Sequence, residues 1–170
     1  SAASDVYKRQ VSKTVKFLVL IAHSLFPPGG AYSIIPEESI LSYNVSFISL
    51  GCAKNQVNCE QMMALCAEAG YSIQAQPEGC DVVVVNTCGF LASACEEAIE
   101  NILEMAELKK AGQVKKILVT GCMTQRYKED IFHELPEVDG LLGTGSYGDI
   151  ATAIAEVMEK GEKPCHLGNI

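Results

Sequence analysis

Three cysteines share one kind of position in the chain. Cys52, Cys88 and Cys122 each follow a predicted β-strand, and each has glycine as a neighbour. Because the carboxyl ends of parallel strands lie along one edge of a sheet, where ligands bind, three thiolates from distant segments are expected to converge there. Glycine lets the backbone approach closely and leaves amide groups free to face an anionic ligand. The pattern predicts a shared metal or iron–sulfur site.

The number of thiols bears on which group such a site would hold. A 4Fe–4S cubane normally takes four cysteine ligands, so three would leave one iron open for an exogenous group. Thiolates also bind structural zinc, and the residues alone leave that alternative open. The remaining five cysteines lack a strand-end position and are expected to be small buried hydrophobic residues; they are Cys59, Cys66, Cys80, Cys95 and Cys165.

The elements that position these thiols follow a regular alternation of strand and helix. Short apolar or β-branched runs predict five strands, and apolar residues at helical spacing predict the helices between them. This order predicts an α/β fold with three layers: a doubly wound, mostly parallel five-stranded sheet with helices on both faces. The strands are predicted at 45–50, 71–74, 81–86, 115–120 and 140–143, and the helices at 57–69, 93–112, 125–133 and 150–158.

The domain organisation is predicted to have three parts. Residues 1–43 contain Pro27, Pro28, Gly29 and Gly30, lack a clear capped helix and do not continue the later pattern, so they are expected to be a non-native or disordered extension from read-through. Residues 44–160 are expected to form one domain, and 161–170 to begin a linker. A chain of 170 residues has room for one such domain.

The composition of the chain indicates which partners and which cellular compartment to expect. The formal charge is -8, from 21 acidic and 13 basic residues, so direct nucleic-acid binding is not expected and a basic protein partner fits better. No apolar run reaches about 18 residues, so no membrane span is expected. Eight cysteines are too few for a disulfide-stapled secreted scaffold, and reduced thiols point to the cytoplasm.

Four segments in order resemble a known family. They resemble successive signatures of the amino-terminal domain of radical-SAM methylthiotransferases, and the resemblance runs from about residue 44 to residue 158. The order of four motifs makes a chance match improbable. The segments are 49–55, 86–90, 120–127 and 143–147.

Residues around the cysteines indicate a branch of that family. The residues that follow the three cysteines resemble the branch that modifies an aspartate of ribosomal protein S12. They are Lys54 and Asn55 after the first cysteine, Phe90 after the second, and Arg126 and Tyr127 after the third. The branch that modifies an adenosine of transfer RNA tends to show other residues there. It remains the alternative within the family.

The resemblance implies a set of cofactors. Cys52, Cys88 and Cys122 would hold a 4Fe–4S cluster with one open iron. A second 4Fe–4S cluster and S-adenosylmethionine would bind in a following domain with a Cys-x3-Cys-x2-Cys motif, which is not among the eight cysteines here. The implied reaction adds a methylthio group to the β-carbon of the aspartate. This chain is therefore expected to be inactive by itself and to be a monomer.

One departure from the family pattern falls on the first predicted helix. Asn58 and Cys59 stand where the family usually has aspartate and serine, so the role of position 58 is open, and Cys59 is a candidate spare ligand. Outside the family, a flavodoxin-like cofactor-binding module with incidental cysteines is the remaining alternative.

Overall fold

The computed structural model describes residues 42–128 and 130–168. The proposed extension, 1–43, lies almost entirely outside the described residues. Its last residue, Tyr43, is buried, its carbonyl accepts a hydrogen bond of 2.9 Å from the backbone amide of Ser72, and its ring lies 5.6 Å from that of Tyr71. Tyr43 therefore packs onto the domain that follows it.

The sheet has six strands, and every neighbouring pair is parallel. Their spatial order is β2-β1-β3-β4-β5-β6. Successive strands are therefore added first on one side of β1 and then on the other, and the strand order reverses between β1 and β3. The α/β class is confirmed, with one strand more than predicted. The strands are β1 Asn44–Ser49, β2 Ser72–Gln74, β3 Cys80–Thr87, β4 Val114–Gly121, β5 Gly140–Leu142 and β6 Cys165–His166.

Helices cover both faces of this sheet. They are α1 Ala53–Glu68, α2 Ala92–Lys110, α3 Cys122–Tyr127, α4 Asp130–Glu134 and α5 Ile150–Ala155, with a 3-10 helix at Tyr147–Asp149 and a π-helical turn at Glu156–Lys160.

Alternate side chains of β3 belong to different layers. Val83 and Val85 pack with α2 on one face, whereas Val82 and Val84 pack with α1 and α5 on the other. All four are fully buried, which explains the nearly continuous valine run. Each buried valine stabilises the fold by roughly 1.5–3 kcal/mol, so this strand holds the three layers together.

Helix boundaries differ from the predictions where polar or irregular residues decide them. Helix α1 begins at Ala53 rather than at residue 57, because its first turn is mostly polar and carries no apolar periodicity. Ser93 lies inside α2 and does not cap it; the N-cap residue is Leu91, without a side-chain hydrogen bond. The helix predicted at 125–133 is two short helices, interrupted where Lys128 adopts φ 49°.

The sixth strand lies in the segment predicted to be a linker. Backbone bonds hold it against β5: Gly143 N donates to His166 O at 2.7 Å, and Leu141 N to Pro164 O at 2.8 Å. The ring of His166 also lies 2.8 Å from a carboxylate oxygen of Glu156. Residues 165–166 are therefore part of the sheet.

None of the helices in residues 42–128 and 130–168 has the length and hydrophobicity of a membrane span.

Candidate functional site

The three cysteines predicted to act together follow three adjacent strands. Cys52 comes after β1, Cys88 after β3 and Cys122 after β4, and these strands are neighbours in the order β1-β3-β4. The strands end level with one another, as the pairing of Ser49 with Asn86 shows. The three cysteines therefore lie along one edge of the sheet, on both sides of the point where the strand order reverses.

Glycines let the cysteine loops approach one another. A Cβ atom added to Gly51 would lie 2.5 Å from Cys88 Cβ, and one added to Gly89 would lie 2.8 Å from Met123 N. Real Cβ atoms do not come so close to another heavy atom. The glycines thus allow loop-to-loop packing, which is a different role from the exposure of amide groups expected from the sequence.

Asn55 joins the same loops through its side chain and is buried. Its Nδ2 donates hydrogen bonds of 3.0 Å to Leu50 O and to Thr87 O, the residues that precede the first two cysteine segments. Its Oδ1 lies 3.9 Å from Cys122 Sγ, within reach of a weak thiol hydrogen bond. In the sequence, Asn55 stood out only as a branch marker. Its position three residues after Cys52, on the first helical turn, was the signal available.

Cys52 is exposed and occupies the N-cap position of α1. Cys52 makes no side-chain cap hydrogen bond, but the backbone amides of Asn55 and Lys54 near its sulfur lower the pKa of the Cys52 thiol. Amides at a helix amino terminus favour an anion in this way. Cys52 is therefore suited to act as a thiolate, which is the form that binds iron.

The other two thiols of the trio are less accessible. Cys88 is buried and Cys122 is half-buried. A fourth thiol, Cys95, lies near this edge, with its Sγ 3.8 Å from the carbonyl of Cys88. The trio thus combines one exposed and two partly protected sulfurs.

An apolar and cationic rim borders the second and third cysteines. Phe90 is 85% exposed and Leu91 59% exposed. Arg126 donates from Nη1 to Gly89 O at 3.1 Å, and its guanidinium carbon lies 5.4 Å from the ring centre of Tyr127. The arginine therefore links the loop after Cys88 to helix α3.

Cysteines away from this edge have a different chemistry. Cys59 is fully buried and belongs to the apolar layer beneath α1. Burial raises the pKa of Cys66 to about 12, and the nearby Cys59 adds a smaller effect. Burial also raises the pKa of Cys80 to about 11, with smaller effects from nearby carboxylates. Cys66 and Cys80 are therefore neutral thiols at physiological pH and behave as hydrophobic residues, as expected from the sequence.

Within residues 42–128 and 130–168, no three His, Cys, Asp or Glu side chains form a group that could hold a single metal ion. A cubane differs in its demands, because each cysteine ligates a different iron and the sulfurs surround a larger group.

The comparison with known protein families matches the segment of the chain that carries the three cysteines. The family model described as "Uncharacterized protein family UPF0004" matches residues 44–143. The match spans the first five strands and includes all three cysteines of the trio. The chain belongs to this family. Membership of this family, together with the relatives described next, confirms the family resemblance found in the sequence.

Curated relatives carry a common name. The protein named ribosomal protein uS12 methylthiotransferase RimO from Lachnoclostridium phytofermentans is 53% identical over 116 residues, which cover 68% of this chain and 26% of the relative. The RimO protein of Anaeromyxobacter sp. strain K is 48% identical, covering 66% and 24%. That of Kineococcus radiotolerans is 41% identical, covering 76% and 26%. The chain thus spans about a quarter of the length of these relatives.

Proposed function

We propose that this chain is the cluster-binding module of a methylthiotransferase that acts on ribosomal protein S12. The observation that carries the proposal is the position of Cys52, Cys88 and Cys122 at the ends of three adjacent parallel strands. The names of the relatives favour the ribosomal-protein branch over the branch that modifies transfer RNA. The formal charge of -8 also suits a basic protein partner better than a nucleic acid.

The proposed ligands of a 4Fe–4S cluster are Cys52, Cys88 and Cys122. The lowered pKa of Cys52 favours the thiolate form that a cluster requires. Asn55 keeps the three loops at a fixed spacing, because it bonds two of them and contacts the sulfur of Cys122. With three ligands, one iron would stay open to an exogenous sulfur species.

When bound, the cluster would hold at its open iron the exogenous sulfur that is transferred as a methylthio group to the β-carbon of an aspartate. The protein's part is to position the cluster and to exclude side reactions. S-adenosylmethionine and a second 4Fe–4S cluster are proposed to bind outside residues 44–158, in another domain of the whole enzyme. We therefore propose that the chain alone is an inactive monomer and that the whole enzyme works in the cytoplasm.

Anaerobic reconstitution of the chain with iron and sulfide tests the ligand set. Iron and acid-labile sulfide per chain are measured together with the electron paramagnetic resonance spectrum of the reduced protein. Replacement of Cys52, Cys88 or Cys122 by alanine should abolish or greatly reduce the bound iron. The matched control is Cys165→Ala, since Cys165 is half-buried in β6 and belongs to a different strand. This control should bind as much iron as the unmodified chain.

Two other results would decide against the proposal. Stoichiometric zinc without iron in the reconstituted chain would identify a structural metal module. Unchanged iron in all three single variants would remove the trio as ligands. Cys59→Ala is a further variant, because it tests whether this buried thiol acts as a spare ligand.

A further inference from the structure

Tyr147 has a buried phenol on the same side of the sheet as α1. It begins the 3-10 helix at Tyr147–Asp149, which packs against α1, and its ring contacts the apolar layer beneath that helix. Its Oη atom is shielded from solvent. In the described ranges, 42–128 and 130–168, no group makes a hydrogen bond of normal geometry to this oxygen.

Thiols of the proposed site are among the groups that act on Tyr147. Burial is the largest cause of a raised pKa for this phenol, and charge on Cys122, Cys52 and Cys59 contributes in the same direction. The side chain of Asn58 counteracts part of that rise, as an amide donor to the phenol oxygen does. Tyr147 also follows the carboxyl end of β5, the neighbour in the sheet of β4, which is followed directly by Cys122.

An unpaired buried hydroxyl needs a physical explanation. Leaving such a group without a partner costs roughly 1–3 kcal/mol, so proteins rarely retain one away from a ligand or an ordered water. The ring of Tyr147 packs on the apolar layer, and its 3-10 helix packs against α1, whose N-cap residue is Cys52. A partner that binds between the cysteines would satisfy the phenol and remove this cost.

We propose that Tyr147 is a positioning residue that donates its phenolic hydrogen bond to a sulfur atom of the cluster held by Cys52 and Cys122. The inference rests on the proposed function, because it requires that cluster. A hydrogen bond to sulfur stabilises the more negative, reduced state of a cluster and raises its reduction potential.

Asn58 has a defined part in this arrangement. An amide can donate to the phenol oxygen and leave the phenolic hydrogen directed at sulfur, whereas a carboxylate can only accept that hydrogen. Asn58 stands where the family resemblance would place an aspartate. The amide therefore makes the phenol available as a donor to the cluster.

The test uses the anaerobically reconstituted chain and the variants Tyr147→Phe and Tyr127→Phe. Tyr127 is an exposed tyrosine close to the same edge of the sheet, so it controls for loss of a phenol in general. All three proteins should bind equal iron. A redox titration followed by electron paramagnetic resonance should give a more negative midpoint potential for Tyr147→Phe alone.

A second measurement covers the case in which Tyr147→Phe folds poorly. Pulsed electron paramagnetic resonance of the reduced, unmodified protein in D2O should detect an exchangeable deuteron close to the cluster. This signal should be lost in Asn58→Asp, which keeps the phenol but offers it a carboxylate acceptor.

The outcomes separate the two proposals. A cluster-loaded Tyr147→Phe protein with an unchanged potential overturns the role of Tyr147 and leaves the proposed function intact. Persistence of the deuteron signal in Asn58→Asp likewise overturns it. Failure of the unmodified chain to bind iron overturns the proposed function, and the role of Tyr147 with it.

Discussion

Asn55 Nδ2 donates a hydrogen bond of 3.0 Å to the backbone carbonyl of Thr87, 32 residues away in the chain. The same nitrogen donates to Leu50 O, so one buried amide joins the ends of β1 and β3. These are the strands on either side of the reversal in strand order. The geometry of the candidate site therefore depends on a side chain that is not itself a proposed ligand.

Replacement of Asn55 by alanine should destabilise the fold. The buried bond to Thr87 O and the partly buried bond to Leu50 O would both lose their amide donor, and we expect the free energy of unfolding to fall by about 2–3 kcal/mol. Urea denaturation measures the change. The control is Asn101→Ala, because Asn101 donates to Glu97 O on an exposed helix surface, and its replacement should change stability by less than about 0.5 kcal/mol. Equal effects of the two variants would contradict a special role for Asn55.

Gly121, at the end of β4, should also resist substitution. Its φ of 104° is disfavoured for other residues, and an added Cβ would lie 2.2 Å from Thr87 O. Gly121→Ala should therefore lower the free energy of unfolding by about 3 kcal/mol or more, through backbone strain and a clash. Thermal or urea denaturation measures it.

The matched control for that variant is Gly112→Ala. Gly112 also has a positive φ, 73°, but no heavy atom lies within 4 Å of the position that an added Cβ would take, so only backbone strain of about 1 kcal/mol is expected. The difference between the two variants measures the clashes with Thr87 and Asn86 together with the greater backbone strain at Gly121, whose ψ is -161°. A similar loss for both would show that the loops can move apart at little cost.

Much of the sheet and the alignment of the three cysteines could be predicted from the sequence. The valine run of β3 predicted a buried strand, and parallel topology then placed Cys52, Cys88 and Cys122 at one edge. These inferences need only local patterns and a general rule of topology. They are therefore available without coordinates.

Other features depend on contacts between distant segments. The two-residue strand at Cys165–His166 is defined by backbone pairing with β5 and has no hydrophobic pattern. The bonds of Asn55 to two loops and the burial of Tyr147 Oη likewise arise only after the sheet has formed. No local propensity encodes them, which is why they could not be predicted from the sequence.

Cys52 should be the most reactive thiol when compared with Cys66 and Cys80. Its pKa lies below the ordinary value of 9.0 because helix amides stabilise its thiolate, whereas burial raises the pKa of the other two. In the metal-free, reduced chain at pH 7, iodoacetamide should modify Cys52 at least about tenfold faster. Peptide mass spectrometry after short labelling times measures the rates. Labelling in urea is the control, since unfolding should make the three rates similar; comparable rates in the folded chain would contradict the prediction.

Cys66 should make the fold sensitive to alkaline pH. Burial raises its pKa from 9.0 to about 12, so above pH 9 the unfolded chain loses this proton while the folded chain keeps it. Its contribution to stability is complete below pH 9 and is lost progressively as the pH rises towards 12, by about 1 kcal/mol at pH 10. Cys66→Ala lowers the free energy of unfolding at pH 7, because it leaves a cavity. The variant has no thiol at this position to ionise. Between pH 7 and pH 10 its free energy of unfolding should therefore fall by about 1 kcal/mol less than that of the unmodified chain. Urea denaturation at the two pH values measures both losses, and equal losses would show that Cys66 ionises as readily in the fold as in the unfolded chain.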